Sequence, residues 1–322
     1  MSYIKPVCAV VVTFNRKELL IKCLDAIMNQ TKKPNKIIII NNCSTDQTLT
    51  CLLNNHYIND YSKVSQENTW ETTKVVNNVE ITCVNLSENT GGAGGFYEGQ
   101  KRAYELGYEW IWMMDDDGRP KKNCLENLWN KAESSNISFL NPLVVDINDN
   151  NKLAFGLGKD IKSVKEAIET SGKAGLIKWN VNPFNGTFFN KTIIDKIGFI
   201  KKEMFIWGDE AEYLYRLDEQ NIIYATDCSS IHYHPQNKSV IKPVFFGLIN
   251  IIVKPANLEM NYYRNLGFIN KRFRKKINAK FIMLYFFYFL VYNGFRKGKI
   301  FLKYYFDGVN NTYRLKNIIN ER

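Results

Sequence analysis

Trp110-Ile111-Trp112-Met113-Met114-Asp115-Asp116-Asp117-Gly118-Arg119-Pro120 changes character within one residue. An apolar run suited to a buried strand stops at three consecutive carboxylates, and Gly118 and Pro120 then turn the chain away. Three adjacent negative charges repel one another, and a cation among them relieves that repulsion. Pleat alternation predicts Asp115 and Asp117 on one side and Asp116 on the other. That spacing suits two ligands on one metal and a third group facing elsewhere. A solvated acidic turn is the competing reading, and the buried-strand lead-in argues against it.

Just upstream, Glu80-Ile81-Thr82-Cys83-Val84-Asn85-Leu86 reads as a strand leading into Asn89-Thr90-Gly91-Gly92-Ala93-Gly94-Gly95-Phe96. Tyr97, Lys101, Tyr104 and Glu105 then continue as a helix towards Trp110. The Gly-rich loop lets backbone come close to a ligand, and the helix start beyond it offers unpaired N–H groups to an anion. It is not the GxGxxG dinucleotide fingerprint. Its weight comes from its place between a strand and a helix, at the same sheet edge as the carboxylates.

At the start of the chain, Val7-Cys8-Ala9-Val10-Val11-Val12 has the unbroken apolar character of a buried parallel strand, closed by Thr13-Phe14-Asn15-Arg16. Leu19, Leu20, Cys23, Leu24, Ile27 and Met28 recur at helical spacing, and Lys36-Ile37-Ile38-Ile39-Ile40 is a second strand. It ends in Asn41-Asn42-Cys43-Ser44-Thr45-Asp46, where Ser44 or Thr45 is expected to cap the following helix. Strand, helix and strand with short links imply a βαβ unit in a parallel sheet. The stretch from Asn54 to Asn78 is polar and weakly periodic, and reads as an irregular insertion.

Beyond Pro120 the pattern predicts a helix over Asn123 to Ala132, a strand over Ile137 to Val145, and a loop-rich region to Trp179. Phe205-Ile206-Trp207-Gly208-Asp209-Glu210-Ala211-Glu212-Tyr213 then opens a helix near Asp209, with Tyr213, Leu214 and Leu217 towards the core. Acidic residues complement the dipole of a helix start, yet three carboxylates in four residues after an aromatic loop exceed that need. Only three His occur, and two of them, His232 and His234, share a face of an extended segment as metal ligands would.

The 322 residues suffice for one large core or two smaller ones, here one catalytic domain and an appendage. An excess of 43 Lys and Arg over 32 Asp and Glu, a net charge of +11, favours anionic partners. The seven Cys show no CxxC pair and no zinc spacing, so reduced thiols in a cytoplasmic protein are expected. No basic-then-apolar signal peptide is read at the first residues.

From Val240 the character changes. Aromatic Tyr262, Tyr263, Phe268 and Phe273 interleave with Arg264, Lys271, Arg272, Arg274, Lys275 and Lys276, before the apolar run from Phe281 to Tyr292. That run is short of the roughly 20 residues a spanning helix needs. With Arg296, Lys297, Lys299 and Lys303 it predicts basic amphipathic helices against a membrane surface or a partner subunit. A helical cap that simply packs on the catalytic domain accounts for it equally well. No DNA-reading helix or base-stacking platform is present in the pattern, so nucleic acid is not expected.

Taken in order, these motifs resemble the inverting, nucleotide-sugar-dependent glycosyltransferases of family 2. The carriers are Val11-Val12-Thr13-Phe14-Asn15-Arg16, the Asn41 to Asp46 strand end, the Asn89 to Phe96 loop, the Asp115-Asp116-Asp117 triplet, Trp207 to Tyr213 and the late His. Within the family the loop and triplet are most similar to bacterial galactofuranosyltransferases, then to rhamnosyltransferases of capsule and O-antigen synthesis.

The resemblance implies a GT-A fold over residues 1–240, an α/β architecture with a Rossmann-like, mainly parallel sheet flanked by helices. Residues 1–120 would form the nucleotide-sugar half and 121–240 the acceptor half, with a helical appendage over 241–322. It implies that Thr13, Asn15, Arg16 and Asn41 hold the nucleoside of a UDP-sugar, where the family more often has Asp at position 41. Asn89, Gly91, Gly92, Asp115 and Asp116 would complete the donor site. Mn²⁺ or Mg²⁺ would be bound by Asp115, Asp117 and either His234 or His232, the spacing from the acidic motif favouring His234. The base would be Glu210 or Asp209, and Trp207 would wall the acceptor.

The implied activity is metal-dependent, inverting transfer of galactofuranose from UDP-galactofuranose to a saccharide or lipid-linked saccharide. The site would be the cytoplasmic face of the plasma membrane, with the C-terminal helices as a possible homo-oligomer contact. A rhamnosyl or other UDP- or dTDP-hexosyl transferase is the near alternative. A nucleotidyltransferase and a non-catalytic membrane assembly subunit are the alternatives of other classes. A glycosidase would need two carboxylates but no phosphate cradle.

Overall fold

The computed structural model describes residues 6–61, 68–158, 160–236, 240–245 and 247–313. The chain divides into two compact units: residues 1–200 with 216–237, and residues 201–215 with 238–322.

The first unit begins with β1 (Val7–Thr13), α1 (Lys17–Met28), β2 (Lys36–Asn41), α2 (Thr48–Asn54), β3 (Trp70–Val76), β4 (Val79–Asn85), α3 (Gly91–Glu105) and β5 (Trp110–Asp115). It continues with β6 (Arg119–Pro120), α4 (Cys124–Ser135), β7 (Phe139–Asp146), β8 (Asp149–Leu157), β9 (Ile161–Ser163), α5 (Val164–Ser171), β10 (Leu176–Lys178), β11 (Asn185–Asn190) and α6 (Thr192–Ile197). After α7 (Asp209–Glu219), whose first turns group with the second unit, β12 (Ala225–His234) closes it.

The sheet runs β10-β12-β7-β11-β5-β1-β2-β4-β3. β5, β1, β2 and β4 are mutually parallel, and β11 enters antiparallel between β5 and β7. β1 and β2 are buried along their whole length, which is why both are Val- and Ile-rich without alternation. Leu20, Cys23, Leu24 and Ile27 of α1 seal one face together with Trp112, Met114 and Phe188. Trp110 stacks on Phe188 across the β5–β11 pair, ring centroids 4.6 Å apart.

Several sequence expectations change here. The glycines after Asn89 do not form an open loop, because α3 already begins at Gly91. A methyl group at Gly95 would come 2.5 Å from Val12, and one at Gly99 would overlap Val10. These two glycines let α3 lie close on β1. The region read as an irregular insertion contains β3, an edge strand whose side chains alternate between sheet and solvent. Asn77 and Asn78, both with positive φ, make the tight turn into β4. Residues 62–67 of that region lie outside the described residues. The stretch before Trp179 carries β8, β9, α5 and β10, and α5 has a full capping box between Ser163 and Glu166. Neither Ser44 nor Thr45 caps α2: Gln47 precedes it, and Asp46 accepts from Thr48 and from the Lys17 N–H. All seven cysteines are unpaired.

The C-terminal part of the second unit starts with a hairpin, β13 (Val240–Val244) and β14 (Ile249–Val253), where only helices were expected. Then come α8 (Glu259–Arg272), α9 (Ala279–Asn293) and α10 (Phe295–Val309). Tyr263, Phe289, Phe301 and Tyr305 form its aromatic centre. α8 and α10 approach backbone to backbone: a methyl at Gly267 would strike the Tyr305 carbonyl, and one at Gly308 the Arg264 carbonyl. Residues 314–322 of the expected C-terminal region lie outside the described residues.

Candidate active site

Register assembles the site in the first unit. Pairing of Thr13 with Asn41, Asn41 with Asn85 and Val12 with Asp115 puts four parallel strand ends on one edge, where open α/β sheets bind ligands. Asp115 is the last residue of β5, and the chain turns there, the Gly118 N–H pointing at the Asp115 carbonyl at 3.4 Å. The turn, not pleat alternation, aims the next two carboxylates. Both reach Arg16, whose Nη1 is 3.1 Å from Asp116 Oδ1 and 2.8 Å from Asp117 Oδ2. Asp116 also accepts from the Thr13 hydroxyl at 2.6 Å.

His234 arrives through β12. That strand is clipped to β7, with His234 beside Asp146, and to β6, with Tyr233 beside Arg119. Its Nε2 comes 2.8 Å from Asp117 Oδ1, and its Nδ1 lies 2.7 Å from the Pro235 carbonyl. A carbonyl can only accept, so Nδ1 carries a proton. In the neutral ring Nε2 is then a lone pair facing a carboxylate oxygen, and two acceptors at that distance require a proton or a metal cation between them.

Electrostatics follow from this packing. Burial opposes both charges of the pair, but the hydrogen bond and charge of His234, then Arg16, outweigh it and hold Asp117 below the usual carboxylate range. Burial likewise disfavours charged His234, and Asp117 overrides it, holding the imidazole above its ordinary value. Burial pushes the Asp116 carboxyl up to about 6 although Arg16 and Thr13 pull it down. Burial, then the charges of Asp117 and Asp116, raise Asp115 well above the carboxylate range.

His232 is a different case. It is fully buried, neither ring nitrogen has a hydrogen-bond partner, and burial depresses its pKa to about 3. Its ring is enclosed by Gly118 and Gly186, where a methyl group would collide with it. Of the two His, only His234 faces the triplet at contact distance. Among the described residues no three His, Cys, Asp or Glu side chains converge as a ready-made metal cage.

The remaining donor-side residues separate by exposure. Asn15, with positive φ, bridges the first two strand ends: its Oδ1 accepts from the Thr45 N–H at 2.7 Å, and its own N–H donates to Ser44 Oγ. Asn41 is fully buried, with its amide donating to Asn85 Oδ1 at 2.6 Å, so it ties two strand ends together, while its own Oδ1 has no hydrogen-bond partner. Asn89 Oδ1 accepts from the Gly91 N–H, so this first donor of α3 is already used. Gly92 has nothing within 4 Å of where a side chain would begin. Sequence reasoning overlooked Asn42, which lay inside the quoted motif. Its Oδ1 accepts from Thr90 N–H and its amide donates to the Gly91 carbonyl, anchoring the start of α3 to the end of β2.

Trp207, Asp209 and Glu210 belong to the second unit. Phe205, Trp207 and Gly208 have φ of 65°, 59° and 102°, a backbone that bulky residues adopt only under constraint. The constraint is Asn265 of α8, fully buried, whose side-chain amide donates to the carbonyls of Met204, Ile206 and Trp207 at 2.8, 3.1 and 2.7 Å. Arg264 adds bonds to the Glu203 and Met204 carbonyls. Asp209 is buried at the start of α7, and Glu210 turns back to accept from the Gly208 N–H at 3.2 Å. The Lys254 ammonium sits 4.7 Å from the Trp207 ring centre and 5.3 Å from that of Tyr262. Burial lowers the Lys254 pKa, and the Glu210 charge works the other way. Neither Asn265 nor Lys254 had a sequence signal, because their partners are distant in the chain.

Comparison with known proteins gives the family and the fold. The glycosyl transferase family 2 model matches residues 8–189. Galactofuranosyltransferase GlfT1 of Mycolicibacterium smegmatis is 29% identical over 276 residues, 84% of each chain. The Mycobacterium tuberculosis GlfT1 is 28% identical over 269 residues, 82% of this chain and 81% of that one. Among solved structures, GalNAc-T7 with UDP, GalNAc and Mn²⁺ superposes with a TM-score of 0.58 at 12% identity, covering 100% of this chain and 57% of that chain. TarS of S. aureus gives 0.51 at 12% identity, over 87% of this chain and 47% of the other. These likenesses place the fold in the GT-A class.

Proposed function

The chain belongs to glycosyl transferase family 2 and is a glycosyltransferase, and we propose that it transfers a galactofuranosyl group from UDP-galactofuranose, with inversion, to a lipid-linked saccharide in bacterial capsule or O-antigen synthesis. One observation carries the donor choice: the likeness to galactofuranosyltransferases extends over 84% of both chains.

The donor set fits a divalent cation. An imidazole Nε2 and a carboxylate oxygen already face each other in His234 and Asp117, with Nδ1 held by a carbonyl as metal-bound His usually is. Asp115, Asp117 and His234 would hold Mn²⁺ or Mg²⁺, His232 being enclosed by Gly118 and Gly186. A cation bound there would neutralise the charge that gathers on the leaving diphosphate.

The chain's own residues do the rest. Thr13 and Arg16 hold Asp116 and Asp117 in place, and Arg16 with Asn15 lines the nucleoside end. At the start of α3, where Asn89 fixes the Gly91 N–H, Gly92 has nothing within 4 Å of where a side chain would begin and leaves room for the diphosphate. Glu210, with Asp209 as alternative, accepts the proton of the acceptor hydroxyl as it attacks. Trp207 supplies the apolar wall for the acceptor sugar. An acceptor carried on lipid would bring the enzyme to the inner face of the plasma membrane as a peripheral protein.

The test is a panel of UDP- and dTDP-sugars with Mn²⁺, reading nucleotide release and product stereochemistry. UDP release from UDP-galactofuranose, lost in Asp117→Ala and in Glu210→Ala, supports the reading. Consumption of dTDP-rhamnose alone replaces the donor, release of pyrophosphate replaces the class, and full activity of both variants defeats the site.

A further inference from the structure

Packing in the second unit leaves one apolar face uncovered. α9 has no charged side chain from Phe281 to Asn293, and a helix apolar on all sides is normally enclosed by protein or lipid. Among the described residues only one side of it is enclosed. Tyr285, Tyr288 and Phe289 are buried in the aromatic centre, whereas Met283, Phe287 and Val291, spaced four residues apart, are 59%, 45% and 62% exposed. Tyr292 and Phe295 extend the strip, at 50% and 56%.

The β13–β14 hairpin adds to the same end of the unit. The Phe245 N–H donates to the Tyr292 hydroxyl at 2.9 Å, and in the same turn Leu248 is 82% exposed. Basic residues flank this apolar strip along the chain, and the Lys299 ammonium lies 4.5 Å from the Phe295 ring centre. From Lys271 to Lys303 the chain has ten Lys and Arg and no Asp or Glu. Lys275, Lys276, Lys280, Arg296, Lys299 and Lys303 are all exposed.

We infer that this face docks on an anionic lipid bilayer, with α9 lying in the interface, Met283, Phe287 and Val291 among the acyl chains and the surrounding Lys and Arg on lipid phosphates. Fifteen residues give a helix of about 22 Å, short of the roughly 30 Å hydrocarbon core. It therefore lies in the surface and does not cross it. Charge decides against a second copy as occupant, because a two-fold interface would press like-charged rims together. An anionic surface satisfies the apolar strip and its basic rim together. The purpose of the docking rests on the proposed lipid-linked acceptor; the surface itself is read from packing and charge.

The experiment is co-sedimentation of the full chain with phosphatidylcholine vesicles and with vesicles also containing phosphatidylglycerol. Binding is expected only to the anionic vesicles, to weaken with salt, and to fall by about tenfold or more in Met283→Glu/Phe287→Glu/Val291→Glu. Circular dichroism checks that this variant folds, and Lys275→Gln/Lys276→Gln/Lys280→Gln provides an independent arm that leaves the apolar strip intact. Equal sedimentation of all three proteins, or no binding by the wild type, overturns the inference, as does a wild-type dimer that the triple Glu variant dissociates. Transfer to a lipid-free saccharide is read in parallel. Its persistence in the triple Glu variant assigns the face to the membrane, and its absence in the wild type counts against the proposed activity while leaving the vesicle result standing.

Discussion

His234 Nε2 stands 2.8 Å from Asp117 Oδ1, a contact between the last strand of the first unit and the turn after its central strand. The Pro235 carbonyl occupies the other ring nitrogen, so Nε2 must lose its proton before it can ligate a metal. Asp117 raises the His234 pKa above its ordinary value, which is about 6.5. Mn²⁺ affinity therefore rises with pH as His234 deprotonates, and binding releases a proton. Calorimetry in buffers of different ionisation enthalpy measures both. In His234→Ala the affinity falls by roughly tenfold or more and the pH dependence through this group is lost.

Arg16 supplies positive charge to Asp116 and Asp117. Arg16→Met leaves two buried carboxylates less compensated, so the metal-free variant melts lower. The cost is about 1 kcal/mol, discounted because the Arg16 side chain is 46% exposed. Added Mn²⁺ raises the melting temperature of the variant more than that of the wild type. Equal shifts in both proteins would show that Arg16 and the metal do not share these carboxylates.

Asn265→Ala removes one side chain from three carbonyls of the Met204–Trp207 loop. A loss of about 1–3 kcal/mol in unfolding free energy is expected, the range for buried groups deprived of a partner. The functional signature is a fall in transfer to acceptor with UDP affinity unchanged, measured by product formation and by nucleotide titration.

Glycines of α3 separate packing from binding. Gly99→Ala forces a methyl into Val10 and Gly95→Ala one into Val12, each costing about 1–3 kcal/mol by overpacking. Gly92→Ala meets nothing within 4 Å, so its melting temperature stays near that of the wild type while its KM for the donor rises. Thermal melts and donor kinetics on the three variants distinguish the two roles.

Much of this site was legible before any coordinates. Thr13, Arg16 and the Asp triplet stood out because each follows an apolar strand at its end, where hydrophobicity stops abruptly, and the paired His because the chain has three His and two share one face of an extended segment. β3 was missed because an edge strand with one wet face looks polar, and Asn77-Asn78 was not read as its turn. Gly94 and Gly95 suggested ligand approach, whereas Gly95, with Gly99 one turn further along α3, serves the contact between α3 and β1.

By itself, the sequence determined the α/β class, the order of the first strands and helices, and the residue types of the candidate site, since burial on both faces and polar strand ends are local properties. Tertiary structure alone decided that His232 is enclosed away from the triplet, that Asn41 is buried, and that Asn265 braces the Trp207 loop. Those facts depend on strand register and on close approach of side chains distant in the chain, and no local pattern encodes either.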